Sequence, residues 1–69
     1  MRQVQMGTWI HANGSIRKVL AFTDSTVTFV AGPPPEGKGK WLAEGSEHTV
    51  DRRYFEKWAI RADLETQTP

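Results

Sequence analysis

Gly7-Thr8-Trp9-Ile10-His11-Ala12, then Asn13-Gly14, then Ser15-Ile16-Arg17-Lys18-Val19-Leu20-Ala21-Phe22-Thr23: two strand-forming runs meet at a turn dipeptide. Asn-Gly tolerates the positive φ that a two-residue hairpin turn requires, so the stretch predicts a tight β-hairpin and one end of a small antiparallel sheet. Upstream, Val4, Met6, Thr8 and Ile10 share one parity and Trp9 and His11 the other, which predicts a half-buried strand beginning near Val4 or Gly7. In the second run Ile16, Lys18, Leu20 and Phe22 lie on one face, and Arg17, Val19 and Ala21 on the other. Lys18 is expected to lean outward at an edge.

Downstream, Asp24-Ser25 reads as a second turn. Thr26-Val27-Thr28-Phe29-Val30-Ala31 alternates cleanly, with Val27, Phe29 and Ala31 inward, so three strands form a meander. Gly32-Pro33-Pro34-Pro35-Glu36-Gly37-Lys38-Gly39-Lys40 ends that pattern, because proline cannot donate to a ladder; it predicts an extended exit and a flexible basic tip. Trp41-Leu42-Ala43-Glu44 is read as a short fourth strand, continued after Gly45 through His48, Thr49 and Val50. Thr49 and Asp51 are competent helix caps. Val50, Tyr54, Phe55 and Trp58 come next at helical spacing, which predicts a short helix from about Asp51. Two endings are open. A long helix runs over 51–64; a short one stops near Trp58 and leaves Ala59-Ile60-Arg61 as a fifth strand. Residues 65–69 form a polar tail.

The chain has 69 residues and no cysteine, so it is one domain, ordered over about 4–62, without disulfide or thiolate staples. Three Trp, three Phe and one Tyr must supply most of the core. No apolar stretch approaches the ~20 residues of a membrane span, and no apolar run follows Arg2 as in a signal peptide. A cytoplasmic protein is expected, without a membrane partner. The net charge of +1 argues against a generic electrostatic nucleic-acid binder. Charge is nonetheless uneven: residues 1–23 hold Arg2, Arg17 and Lys18 and no acid.

The order of hairpin, third strand, loop, fourth strand, helical turn and closing strand resembles an SH3-like barrel, the class that includes KOW and Tudor-type modules. The likeness covers roughly residues 4–61 and lies in strand order and turn placement. It implies a mainly β fold: a small curved antiparallel sheet, a barrel of four to five strands, with a short C-terminal helix. The opening Gly7-Thr8-Trp9-Ile10 and the close Tyr54-Phe55-Glu56-Lys57-Trp58 are similar in style to short phage and plasmid proteins. The plasmid-borne type II dihydrofolate reductases share the size and the barrel, but their Val-Gln-Ile-Tyr segment is missing here, where His48-Thr49-Val50-Asp51 stands.

No chemical signature singles out a reaction. His11 and His48 lack the three or four convergent partners of a metal site, and no cofactor is expected. Ser46 and His48 share a strand face with Asp51 nearby, but a triad also needs an oxyanion hole of rigid donors. Gly37-Lys38-Gly39-Lys40 departs from the phosphate-loop pattern, which needs Ser or Thr after Lys at the start of a helix. Arg53, Lys57 and Arg61 form a basic stripe at i, i+4, i+8, and Arg52 can pair with Glu56.

The expected function is therefore that of a non-enzymatic accessory or regulatory protein, of phage or mobile-element type. It would bind a larger machine with an acidic surface, such as a transcription or nucleic-acid-processing enzyme. Trp9 and Trp41 would be its aromatic anchors, and Arg17, Lys18, Lys38, Lys40, Arg52 and Arg53 its orienting charges. Direct nucleic-acid binding in the manner of KOW or Tudor-type barrels is one alternative. An enzyme built at an oligomer interface is another.

Overall fold

The computed structural model of the chain describes residues 3–36 and 39–65. Five strands and one helix occur in order: β1 (Gly7–His11), β2 (Ile16–Phe22), β3 (Thr26–Ala31), β4 (Glu47–Asp51), α1 (Arg52–Ala59) and β5 (Ala62–Leu64). All pairings are antiparallel, in the order β4-β3-β2-β1-β5. The protein is thus a small, mainly β fold whose curved sheet stays unclosed. The two marginal strands do not meet, and α1 packs across the face between them, touching β1, β3, β4 and β5.

The hairpin forms where Asn13-Gly14 predicts it, with a different turn. His11 N–H donates to Ser15 O at 2.8 Å, and Gly14 N–H to His11 O at 2.9 Å. Three residues therefore cross the turn, and only Gly14 takes a positive φ, of 94°. This is a type I turn closed by a glycine bulge, not a two-residue loop. Asn13 serves through its side chain: Oδ1 accepts from Ser15 N–H at 2.9 Å.

The core comprises Val4, Trp9, Val19, Val27, Phe29, Ala31, Phe55, Ala59 and Ala62. Trp9 and Phe55 meet edge to face, with centroids 5.8 Å apart at 84°, the geometry that sets a positive ring edge on a negative face. Trp9 Nε1 donates to Gln5 O at 3.1 Å.

The structure decides the facing of β1, which parity left open, and corrects that of β2. In β1 the inward residue is Trp9, and Ile10 lies out on the opposite face, 42% exposed. In β2 the register slips between Val19 and Ala21. Val19 faces Phe29, Ala21 faces Thr28, and Phe22 faces Val27. The extra residue, Leu20, reverses the parity of the rest of the strand. Arg17 and Val19 therefore share the core face, Ile16 and Lys18 the outer one, and Phe22 returns toward the core side at the sheet's margin. β2 lies between β1 and β3, so Lys18 is not on an edge strand.

Residues 41–44 form no strand. The free side of β3 has room for one partner, and 47–51 takes it: Gly45 N–H reaches Ala31 O and Ala31 N–H reaches Ser46 O before β4 begins. The helix takes the short option but runs through Ala59, and the closing strand falls at Ala62–Leu64 instead of 59–61. Tyr54, expected on its packing face, is 59% exposed. Asp51 occupies the cap position without a side-chain capping bond. Arg52 N–H instead finds Ser25 O at 2.8 Å.

Glu56 fastens the helix to the start of the chain. Its Oε2 accepts from Arg52 Nε at 3.0 Å and from Val4 N–H at 3.2 Å. The bond from Arg52, and after it that from Val4, holds the Glu56 carboxyl below the usual carboxylate range against the opposing effect of burial. A carboxyl depressed by folding contributes stability above its unfolded value of about 4.3, and that contribution is lost as pH falls through the folded value. Glu56→Gln is expected to cost about 1 kcal/mol at neutral pH. It should also flatten the loss of stability below about pH 4. Thermal melts of both proteins across acid and neutral pH check this.

Candidate functional site

Arg17 is the anomaly of the core face. It stands in β2 opposite Trp9 of β1 and Ala31 of β3, where its neighbours are buried. Its guanidinium meets two rings: Cζ is 4.8 Å from the centroid of Phe29 and 4.4 Å from that of Trp58. Trp58 in turn stacks on His11 at 5.1 Å, and Phe29 on His48 at 5.6 Å. His11, Trp58, Arg17, Phe29 and His48 thus form one chain of contacts, with the cation linking its two halves. Such cation–ring contacts contribute ~0.5–2 kcal/mol each, more when desolvated.

The rings do not satisfy the guanidinium. The Tyr54 hydroxyl accepts a hydrogen bond from the guanidinium, but Nη1 is buried with no hydrogen-bond partner among the described residues. Burial lowers the Arg17 pKa from its ordinary value, and the Tyr54 hydroxyl works against that shift. An arginine stays charged under such a change. A charged N–H held away from water without an acceptor costs about 1–3 kcal/mol or more.

Arg17 also forms part of the wall of a half-open pocket of about 170 Å³. The pocket lies between the hairpin tip (Asn13, Ser15), the run from Gly32 to Pro35, the returning segment Lys40-Trp41-Leu42, and Trp58 at the last turn of the helix. It exists because α1 stops at Ala59 and leaves this end of the sheet to the proline segment. Gly14 adjoins Pro35, so the hairpin tip and the proline wall are in contact. Trp41 and Leu42 are each 37% exposed at the rim.

The expected site residues therefore divide. Arg17, Lys40 and Trp41 come together at this pocket. Trp9, expected as an exposed anchor, is wholly enclosed and belongs to the core. Lys18 is exposed on the opposite face of the sheet. Lys38 lies outside the described residues. Arg52 is held by Glu56, by Thr23 O at 3.2 Å and over the Phe22 ring at 5.5 Å, so it staples the β2–β3 turn to the helix. Arg53 lines a second, more open hollow of about 420 Å³, shared with Asp24, Asp51 and Glu56. That hollow mixes acids with bases, and its Arg52 and Glu56 already satisfy one another. Sequence reasoning does not place Trp58, Asn13 or Ser15 at a site. The signal that could have found the pocket is Arg17 itself, a charge two residues from core Val19 on an alternating strand.

The Ser46, His48 and Asp51 arrangement does not assemble. Ser46 Oγ and His48 Nε2 are 2.8 Å apart on the core side of β4, whereas Asp51 alternates to the outer side. The same Ser46 Oγ is 2.6 Å from Ala43 O. A carbonyl can only accept, so the one hydroxyl proton lies there, and His48 Nε2 must donate to Oγ. In this arrangement the histidine is a donor to the serine, not its base. Among the described residues no group of three or more His, Asp or Glu could hold a metal ion, and no helix is long and apolar enough to cross a membrane. No protein-family model, curated protein or solved structure matches the chain.

The buried Nη1 without an acceptor predicts an uncommon result. Arg17→Met removes the buried charge, keeps an unbranched side chain against the rings and substitutes sulfur–ring contacts for cation–ring ones. It is expected to stabilise the fold by about 1 kcal/mol, several degrees in Tm for a domain of this size. A thermal melt measures it, and a Tm below that of the parent protein counts against the account.

Proposed function

We propose that this protein is a non-enzymatic binding module that docks on an acidic surface of a larger protein through the end where the hairpin tip, the proline segment and Trp41 converge. The observation that supports this is Arg17 Nη1, buried without an acceptor in a residue that also lines an open pocket. A fold that holds a desolvated cation with only a neutral hydroxyl beside it gives up stability, and an anion in the adjoining pocket would offset part of that cost through charge attraction. Trp41 at the rim offers the aromatic contact area on which interface affinity concentrates, and Lys40 beside it would steer acidic partners inward. Machines that transcribe or process nucleic acids, with their acidic surfaces, are the class of target this fits, and modulation by occupying such a surface is the mode of action.

Tryptophan fluorescence tests the reading. The protein is titrated with polyglutamate and, separately, with single- and double-stranded oligonucleotides at low and high salt. A saturable change with polyglutamate, weakened by salt, and little change with oligonucleotides is expected. Tighter binding of an oligonucleotide, with the steep salt dependence of phosphate contacts, would replace the reading by direct nucleic-acid recognition.

A further inference from the structure

We infer that the Arg17 pocket is a receptor for a single carboxylate, the side chain of a glutamate or aspartate carried on the partner's surface. The inference rests on the reading of the protein as a module for an acidic protein partner, and it names the occupant of the site.

Size limits the guest. A volume of about 170 Å³ is below the ~300–1,000 Å³ of pockets that hold nucleotides, cofactors or drug-sized ligands. It is close to the ~150 Å³ that takes up one benzene. One side chain fits, and a base with its sugar does not.

The polar side chains of the lining set the guest's charge. Arg17 and Lys40 are cations, and among the described residues no acid lines the pocket. Asn13 Oδ1, which could have accepted, is occupied by Ser15 N–H at 2.9 Å and Ser15 Oγ–H at 2.7 Å. The backbone N–H fixes that amide's orientation, so Asn13 has only its NH2 group to offer, and the Ser15 hydroxyl proton is spent. Arg17, Lys40 and the Asn13 amide present donors, and the Ser15 oxygen, its proton spent, is left to accept.

Shape decides between anions. The Arg17 Cζ stands 4.8 Å over the Phe29 ring and 4.4 Å over the Trp58 ring. Ring contact favours approach to the guanidinium along its edge, where a partner lies in the guanidinium plane. A carboxylate is planar and pairs with the fork in that plane. A tetrahedral phosphate would project oxygens toward the ring faces, which carry the negative end of the aromatic quadrupole.

The test monitors the Arg17 Nε–Hε resonance of the intact protein by NMR during titration with acetate, with inorganic phosphate and with a glutamate-rich peptide, and it repeats the peptide titration on Arg17→Met and Arg17→Lys. Acetate and the peptide are expected to move the resonance and phosphate to leave it in place. Arg17→Met should weaken the peptide tenfold or more, the loss expected for one charged hydrogen-bonded pair. Arg17→Lys, which keeps the charge without the fork, should not restore it. A peptide that binds the parent protein and Arg17→Met equally overturns the pocket assignment while leaving the acidic-partner reading intact. A peptide that fails to bind the parent protein overturns both. Phosphate acting as strongly as acetate, or full affinity in Arg17→Lys, overturns the carboxylate assignment. The wild-type titration needs no variant and stands whether or not the substitutions fold.

Discussion

Trp9→Ala is expected to unfold the protein. The indole is fully buried, and it joins β1 to the helix through its edge-to-face contact with Phe55. Its Nε1 also secures the segment before the strand through Gln5 O. Truncating a buried tryptophan costs about 3–5 kcal/mol, from lost transfer free energy and the cavity left behind. A chain of 69 residues has a total stability of only about 3–10 kcal/mol at the usual yield per residue. The substitution therefore removes a third or more of what holds the fold. Urea denaturation monitored by far-UV circular dichroism should show the midpoint collapsing toward zero denaturant. A midpoint within one tenth of the parent's would mean that the core does not depend on this ring.

Phe55→Ala should be comparably severe for a different reason. Phe55 is the hub of the aromatic core, 5.8 Å from Trp9, 6.0 Å from Phe29 and 5.3 Å from Trp58. Of the eight residues of α1 only Phe55 and Ala59 are buried. A helix that short is not stable alone in water, so its attachment to the sheet is also the reason it exists. Loss of the ring is expected to cost about 3–5 kcal/mol. The conservative Phe55→Leu should cost about 1.5 kcal/mol or less, because much of the volume is retained. The two sites touch, so their effects will not add. The double variant should cost less than the summed single values by roughly 0.5–1.5 kcal/mol, the worth of the aromatic pair itself. Equal midpoints for Phe55→Ala and Phe55→Leu would contradict the packing described.

Much of this architecture is legible in the residues. Asn13-Gly14 places the hairpin because few dipeptides close one so readily, even though glycine alone adopts the positive φ. Thr26 to Ala31 shows the correct face because nothing interrupts its alternation. The aromatic spacing from Tyr54 to Trp58 locates the helix. Three features resist such reading. Leu20 bulges, and a single inserted residue reverses a two-residue period without leaving a trace in composition. Residues 41–44 have the make-up of a strand, but the free side of β3 goes to 47–51 instead, which only the path of the loop decides. Arginine usually belongs on an outer surface, so its shared parity with Val19 is the one local hint that Arg17 is a core-face residue. Its true position depends on the ring of Trp58, forty-one residues further on, which meets it only in the folded state. The pocket is hidden for the same reason: its walls come from four separate parts of the chain.

The placement of β5 beside β1 carries a consequence for synthesis on the ribosome. The ladder to Ala62–Leu64 covers the flank of β1 from Trp9 to His11. Translation proceeds at about 5–20 residues per second, so for several seconds the early meander can zip together while that flank stands bare. A nascent chain stalled before Ala62 would thus expose a sticky backbone edge of the kind that seeds intermolecular pairing. Quality control should treat such a stalled product as a misfolding hazard, although it lacks only the shortest strand of the sheet.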